Sequence, residues 1–253
     1  MGRKVHTGLP FTGAHALGGC CGISPTRISA LAKRALTLFV WRFWVTLPPA
    51  KRIRALCMLQ NPVHLRLAKL ESWQHLTFMA CLCERMYPNY VAFCQQTEFA
   101  DPALYRRILD LIWETLTVKD AKINFDSQLE KLEAAIPDGD AFEVYGVYPA
   151  IDACVALSEV LHSQLSGETL EHAIEVSKTS ITTVAILEMT HEGREMTDEE
   201  LRENQAVIDE WDLQWEIFRL LADCEERDLE LIKGLRSDLR EAGISNIGIK
   251  IQQ

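Results

Sequence analysis

Residues 149–192 read as a helix that is apolar almost all the way round, a Ser-Gly turn and a second helix. This pair limits what the rest of the chain can fold into. Pro149 suits a first helical position, where its missing N–H costs nothing. Ile151, Cys154, Val155, Leu157, Val160 and Leu161 then leave little polar surface on the first helix, and a helix apolar on all sides belongs inside a core. Ser166-Gly167 ends it, because glycine takes the left-handed conformation that closes a helix. Glu168 and Glu171 follow at the positive end of the next helix's dipole. The expected fold is all-α: a single multi-helix bundle around this central hairpin.

The pattern on either side is helical as well. A short helix is expected over 62–70, and Ser72 is placed to cap a helix over 73–86. Pro88 opens another short helix to about residue 97. Asp101-Pro102 is a cap followed by a first-turn proline, which predicts a helix over 103–118. Asp126 caps a helix over 125–136, and residues 137–148 form a loop punctuated by Pro137, Gly139 and Gly146. After the hairpin, Gly193 breaks the pattern and Thr197 with Glu200 has the form of a capping box. One long helix is then expected over 207–241, with Trp211, Trp215, Phe218, Leu221, Ile232 and Leu235 along its apolar stripe and Asp223 paired to Arg227. No repeat or linker interrupts 58–253, which reads as one domain.

Charge divides the chain. Residues 1–57 hold nine Lys and Arg and no acidic residue, whereas residues 58–253 hold the other 17 basic residues and all 36 acidic ones, a formal −19. An acidic body argues against nucleic acid, since phosphate contact needs clustered Lys and Arg. Its electrostatically steered partners should be basic. The basic, poorly structured N-terminal extension fits three readings: translated upstream sequence with Met58 as the start, an export or membrane-surface segment, and a basic arm. Composition favours the first. Its apolar run over 35–47 is interrupted by Arg42 and is too short to span a bilayer. No membrane contact is expected of the 58–253 body. Eight cysteines form no Cys-x-x-Cys pair, so neither a zinc site nor a disulfide framework is indicated, and a reducing cytoplasm is the expected location.

Four strings carry a family resemblance: MLQNPVHLRLAKLESWQHLTFMACLCERMYPNY, YRRILDLIWETLTVKDAKINFDSQLEKLEAAIP, YGVYPAIDACVALSEVLHSQLSGETLEHAIEVSKTSITTVA and QWEIFRLLADCEERDLELIKGLR. They closely resemble the YjaG family, gammaproteobacterial proteins of the domain-of-unknown-function type, over about residues 58–253. The resemblance implies an all-helical fold beginning near Met58. It carries no assigned activity, and its genome context implies an association with histidine kinases and so with signalling.

Three groups of residues could carry function. Glu159-x-x-His162 and Glu188-x-x-His191 have the form used by di-iron bundles. The hairpin separates them by roughly 30 Å at 1.5 Å per residue, so no metal site and no cofactor are expected. A polar line inside the hairpin sets Asp152 opposite Thr182 and Thr183, and Glu159 opposite Glu175 and Lys178. It reads as a buried Glu159–Lys178 pair, or alternatively as a ligand-binding pocket using Asp152, Glu159, Lys178 and Thr182. The acidic run that includes Glu195, Asp198, Glu199, Glu200 and Glu203, with Asp209, Glu210 and Asp212, is a solvated face or a docking surface for a basic protein partner. His64, His75, His162, His172 and His191 read as surface or capping residues, and Trp73, Trp113, Trp211 and Trp215 as core anchors. No nucleophile motif or phosphate-cradling loop is present. The expected function is a non-enzymatic accessory or regulatory protein-binding module, with a ligand-binding or enzymatic bundle as the alternative.

Overall fold

A computed structural model describes residues 63–251; the extension over 1–57 lies outside them. The described residues form nine α-helices: α1 (His64–Leu67), α2 (Ser72–Thr97), α3 (Ala103–Thr117), α4 (Phe125–Glu133), α5 (Val147–Ser166), α6 (Thr169–Glu192), α7 (Asp198–Glu203), α8 (Gln205–Ala222) and α9 (Leu229–Ala242). A 3-10 turn at Gly139–Ala141 precedes α5. Among the described residues the only β pairing is an isolated bridge between Ile244 and Lys250.

The bundle is built on the α5–α6 hairpin, but α5 is not enclosed on every side as its apolar pattern implies: Val155 and Leu165 are exposed and Ile151 is half-buried, because one face of the helix opens outward. Gly167 joins the two helices with φ +77°, a conformation that costs a side-chain-bearing residue roughly 1–2 kcal/mol. Lying along the hairpin is α2, which also meets α3, α8 and α9. Phe78, Met79, Leu82, Met86 and Phe93 of α2 are fully or almost fully buried, with Leu157, Val160 and Leu161 of α5. Each such side chain contributes about 1.5–3 kcal/mol by leaving water. Trp113 is fully buried, whereas Trp73, Trp211 and Trp215 are partly buried against the core.

Helix boundaries differ from expectation in four ways. First, α2 is continuous for 26 residues and runs through Pro88. Proline has no N–H for the carbonyl four residues back, but Pro88 is buried between Met86 and Tyr90, and the packing on both sides holds the helix together. Second, Glu71 rather than Ser72 is the N-cap of α2, its N–H donating to Gln74 Oε1 at 2.6 Å. Asn124 rather than Asp126 caps α4, accepting from the Ser127 N–H at 3.0 Å. Third, α5 begins one half-turn earlier, at Val147.

Fourth, the long helix over 207–241 is two helices. Residues 223–228 are all charged apart from Cys224 and offer no apolar side to bury, and Asp228 starts α9 by accepting from the N–H groups of Glu230 and Leu231. Arg227 accordingly donates to the Thr115 carbonyl at 2.7 Å rather than pairing with Asp223. His75 is also misread as a surface residue. It is buried, with Nε2 2.7 Å from the Leu67 carbonyl and Nδ1 2.8 Å from Thr169 Oγ1. No helix among the described residues is long and apolar enough to cross a membrane.

Candidate functional site

The hairpin carries a run of hydroxyls, Ser177 to Thr183, that helix propensity disfavours. The structure resolves the run into two polar neighbourhoods on opposite sides of α6. On one side Ser177 Oγ donates to Gln214 Oε1 at 2.6 Å, and Ser180 Oγ donates to Glu210 Oε1 at 2.6 Å. Glu210 also accepts from Arg85 Nε at 2.9 Å, and Asn246 donates to the Ser180 carbonyl at 3.0 Å. This network joins α2, α6, α8 and the C-terminal residues, and its carboxylate is fully enclosed. It is structural, since its donors and acceptors answer one another.

The other side is open. Asp152 of α5 and Thr179, Thr182 and Ile186 of α6 line a cleft of about 410 Å³, with Tyr148, Ile151 and Val155 beside them and Asp138, Gly139 and Asp140 at the rim. Asp138 shapes that rim by accepting from the Asp140 N–H at 3.0 Å. Gly139 lets the turn lie close on α5: a Cβ there would meet Tyr148 Cε1 at 3.3 Å and Ile151 Cδ1 at 3.5 Å. Thr183 Oγ1 donates to Asp152 Oδ2 at 2.7 Å, which fixes the carboxylate. Thr182 is 5% exposed, and its hydroxyl has no hydrogen-bond partner among the described residues. The volume falls in the range of about 300–1,000 Å³ usual for small-ligand sites.

The polar line divides accordingly. Asp152 and Thr182 meet in the cleft, and Asp152 reaches Thr183 as the hairpin register predicts. Glu159 and Lys178 are elsewhere, and the expected pair between them does not form. Glu159 Oε2 lies 2.6 Å from His172 Nδ1, across the turn end of the hairpin. Lys178 donates to Glu175, one turn back on its own helix, at 2.7 Å. A same-helix partner three residues away needs less side-chain ordering than one across the hairpin.

The two Glu-x-x-His motifs are separated in the same way. Glu188 accepts from Asn204 Nδ2 at 2.9 Å and lies 3.5 Å from His191. No group of three or more His, Cys, Asp or Glu among the described residues is arranged to hold a metal ion. Burial pushes the thiols of Cys81, Cys83 and Cys154 well above their ordinary range. They are therefore protonated and poor nucleophiles.

The acidic run sits at the α6–α7–α8 corner. Glu195, Glu199 and Glu203 are exposed, and Asp198 and Glu200 are half-buried. Glu200 belongs to the capping box with Thr197 and pairs with Arg194 at 2.8 Å; these contacts hold its carboxyl down at about 2. Glu210 is not part of this face but lies in the interior network. The spacing of Val207, Glu210, Gln214, Ile217 and Leu221 puts it on the buried stripe of α8, a signal present in the sequence. Asn204, the N-cap of α8, ties this corner to α6 by donating to Glu188 Oε2 at 2.9 Å. Burial raises the Tyr145 phenol, and the carboxylates of Asp152 and Glu188 add to the rise.

Sequence reasoning overlooked a second interior carboxylate. Glu84 of α2 accepts from Arg106 at 2.6 Å, from Arg240 Nε at 2.9 Å and from the Trp113 indole at 2.9 Å. Asp110 bonds to Arg240 as well and to Arg236. This network binds α3 and α9 to α2. Its one signal was the position of Glu84 directly after the apolar run Phe78–Cys83.

Comparison with known proteins places these features in a family. A family profile described as "Protein of unknown function (DUF416)" matches residues 62–250. The uncharacterized protein YjaG of Salmonella typhimurium and that of Escherichia coli are each 81% identical over 196 residues, which is 78% of this chain and all of the relative. An uncharacterized protein of Haemophilus influenzae is 54% identical over 196 residues, 77% of this chain and all of its own. A DUF416 family protein from Shewanella baltica, solved at 1.91 Å resolution, superposes with a TM-score of 0.71 at 37% identity, covering 74% of this chain and 98% of that one.

Proposed function

This chain belongs to the DUF416 family, and from that premise we propose that it is a non-enzymatic binding module that docks a Lys- and Arg-rich segment of a partner protein. The observation that carries the reading is the α6–α7–α8 corner, where Glu195, Glu199 and Glu203 are exposed on a connection between helices. Concentrated carboxylates of this kind speed encounter with a basic surface, and their pull weakens as salt shortens the Debye length from about 30 Å at 0.01 M to about 8 Å at 0.15 M. The thiols of Cys81, Cys83, Cys94 and Cys154 are free and buried, which suits a reducing cytoplasm. A signalling partner is the expectation that the family resemblance carries; the basic-segment chemistry does not depend on it.

The alternative, a ligand-binding bundle using the hairpin, is favoured by the cleft at Asp152 and Thr182. Both the cleft and the corner carry carboxylates, so one cationic ligand class suits both.

The test is binding of a fluorescent lysine-rich peptide, read by anisotropy at low and physiological ionic strength. Charge reversal of Glu199 and Glu203 to Lys should weaken binding by several-fold. Reversal of Glu225 and Glu226, exposed between α8 and α9, should weaken it far less. Equal losses from the two pairs would reduce the attraction to overall charge and refute the docking reading.

A further inference from the structure

The hairpin cleft is acidic at the rim, apolar along the wall and short of one hydrogen bond at the floor. Asp138 and Asp140 come from the 3-10 turn and Asp152 from α5, and no Lys, Arg or His is among the described residues that line it. Ile151, Val155 and Ile186 supply aliphatic surface. The Thr182 hydroxyl is an acceptor that the fold leaves unused.

Each feature excludes a class of ligand. An anion would be repelled by three carboxylates. A neutral apolar group would strip water from them without replacing its hydrogen bonds, at a cost of a few kcal/mol. An aliphatic stem ending in a cation with several N–H donors answers all three features together. A lysine side chain is such a group: a compact ammonium with three donors and no acceptor, on a flexible four-carbon stem. Because the polar atoms are spread between floor and rim, a rotatable point charge suits them better than the fixed planar fork of arginine.

We infer that the cleft receives a lysine side chain of the partner's basic segment, with the ammonium among Asp152, Thr182 and the Asp138–Asp140 turn and the stem against Ile151 and Ile186. The inference rests on the docking reading for the source of that lysine. It adds an anchoring site to a surface that would otherwise act only by steering. Thr183 serves as a positioning residue, since its hydroxyl holds the Asp152 carboxylate.

The experiment is titration of the isotopically labelled protein with Nα-acetyl-lysine methylamide, with its norleucine isostere and with putrescine, followed by amide chemical shifts. The lysine derivative should shift resonances of Ile151, Thr182 and Ile186 and bind at least about tenfold more tightly than the isostere, the difference expected for a hydrogen-bonded charge. Asp152→Asn should abolish that preference. Thr182→Val, which removes a buried unsatisfied hydroxyl, should weaken binding several-fold while leaving the melting temperature unchanged or raised. A loss of folding in the Asp152 variant would leave the Thr182 variant to decide.

Equal binding of the isostere, shifts confined to other helices, or an unaffected Thr182→Val variant would overturn the inference. Tighter binding of putrescine would overturn it in favour of a free diamine. If the lysine-rich peptide still binds through Glu199 and Glu203 while the cleft stays silent, the anchoring site fails and the docking reading stands.

Discussion

Replacing Glu210 with alanine separates the interior carboxylate from the acidic face to which its sequence neighbours belong. The substitution removes the acceptor of Arg85 Nε and of Ser180 Oγ, in a site where the Glu210 side chain is 0% exposed. Breaking a buried ion pair by removing one partner costs about 3–5 kcal/mol. Arg85 is 19% exposed and can regain some water, which favours the lower end of that range. Ser180 still donates nowhere else, adding to the loss. A net destabilisation of about 3–4 kcal/mol follows, which for a body of this size lowers the melting temperature by roughly 6–16 °C. The double substitution Glu199→Ala with Glu203→Ala, on the exposed corner, should stay within about 0.5 kcal/mol. Urea titration of the three proteins, with the slope checked for constancy, measures both quantities. A Glu210→Ala loss under about 1 kcal/mol would refute the assignment of that network as structural.

Burial lowers the pKa of His75 below its ordinary 6.5, with the Leu67 carbonyl opposing, so folding favours the neutral ring. Its contribution is complete above the unfolded value of about 6.5 and is lost as pH falls toward the folded one. Melting temperature should therefore drop between about pH 7.5 and 5.5, more steeply than in a His75→Gln variant; parallel curves would refute the role of this ring. At the hairpin turn, Gly167→Ala should cost about 1 kcal/mol from the left-handed backbone alone, because nothing lies within 4 Å of the added Cβ. A neutral outcome in chemical denaturation would mean that the turn relaxes to another conformation.

The helices were legible wherever a stop signal and an apolar stripe agreed. Gly167, Gly193 and Gly243 each end a helix with positive φ, and the Thr197–Glu200 capping box forms as its spacing implies. The continuity of α2 through Pro88 was not legible, because local propensity favours a break and only burial on both sides overrides it. The gap between α8 and α9 was passed over because apolar spacing resumes in phase beyond residues 223–228. In the candidate site, hairpin register was enough to set Asp152 against Thr183. It could not choose among partners of similar reach, and so missed that Glu159 turns to His172 and Lys178 to Glu175. The rim of the cleft depends on Gly139 letting the loop that precedes α5 lie close on Tyr148 and Ile151, a contact with no periodic signature.

Where a basic segment seats on this protein tests the account most directly. Amide exchange, or chemical-shift mapping of the full chain with a lysine-rich peptide at physiological ionic strength, reads that position residue by residue. Perturbation is expected at the cleft residues Asp152, Thr182 and Ile186 and at Glu199 and Glu203 of the acidic corner, with the α3–α9 side unchanged. Perturbation spread evenly over the acidic surface, or centred on α3 and α9, would contradict the account.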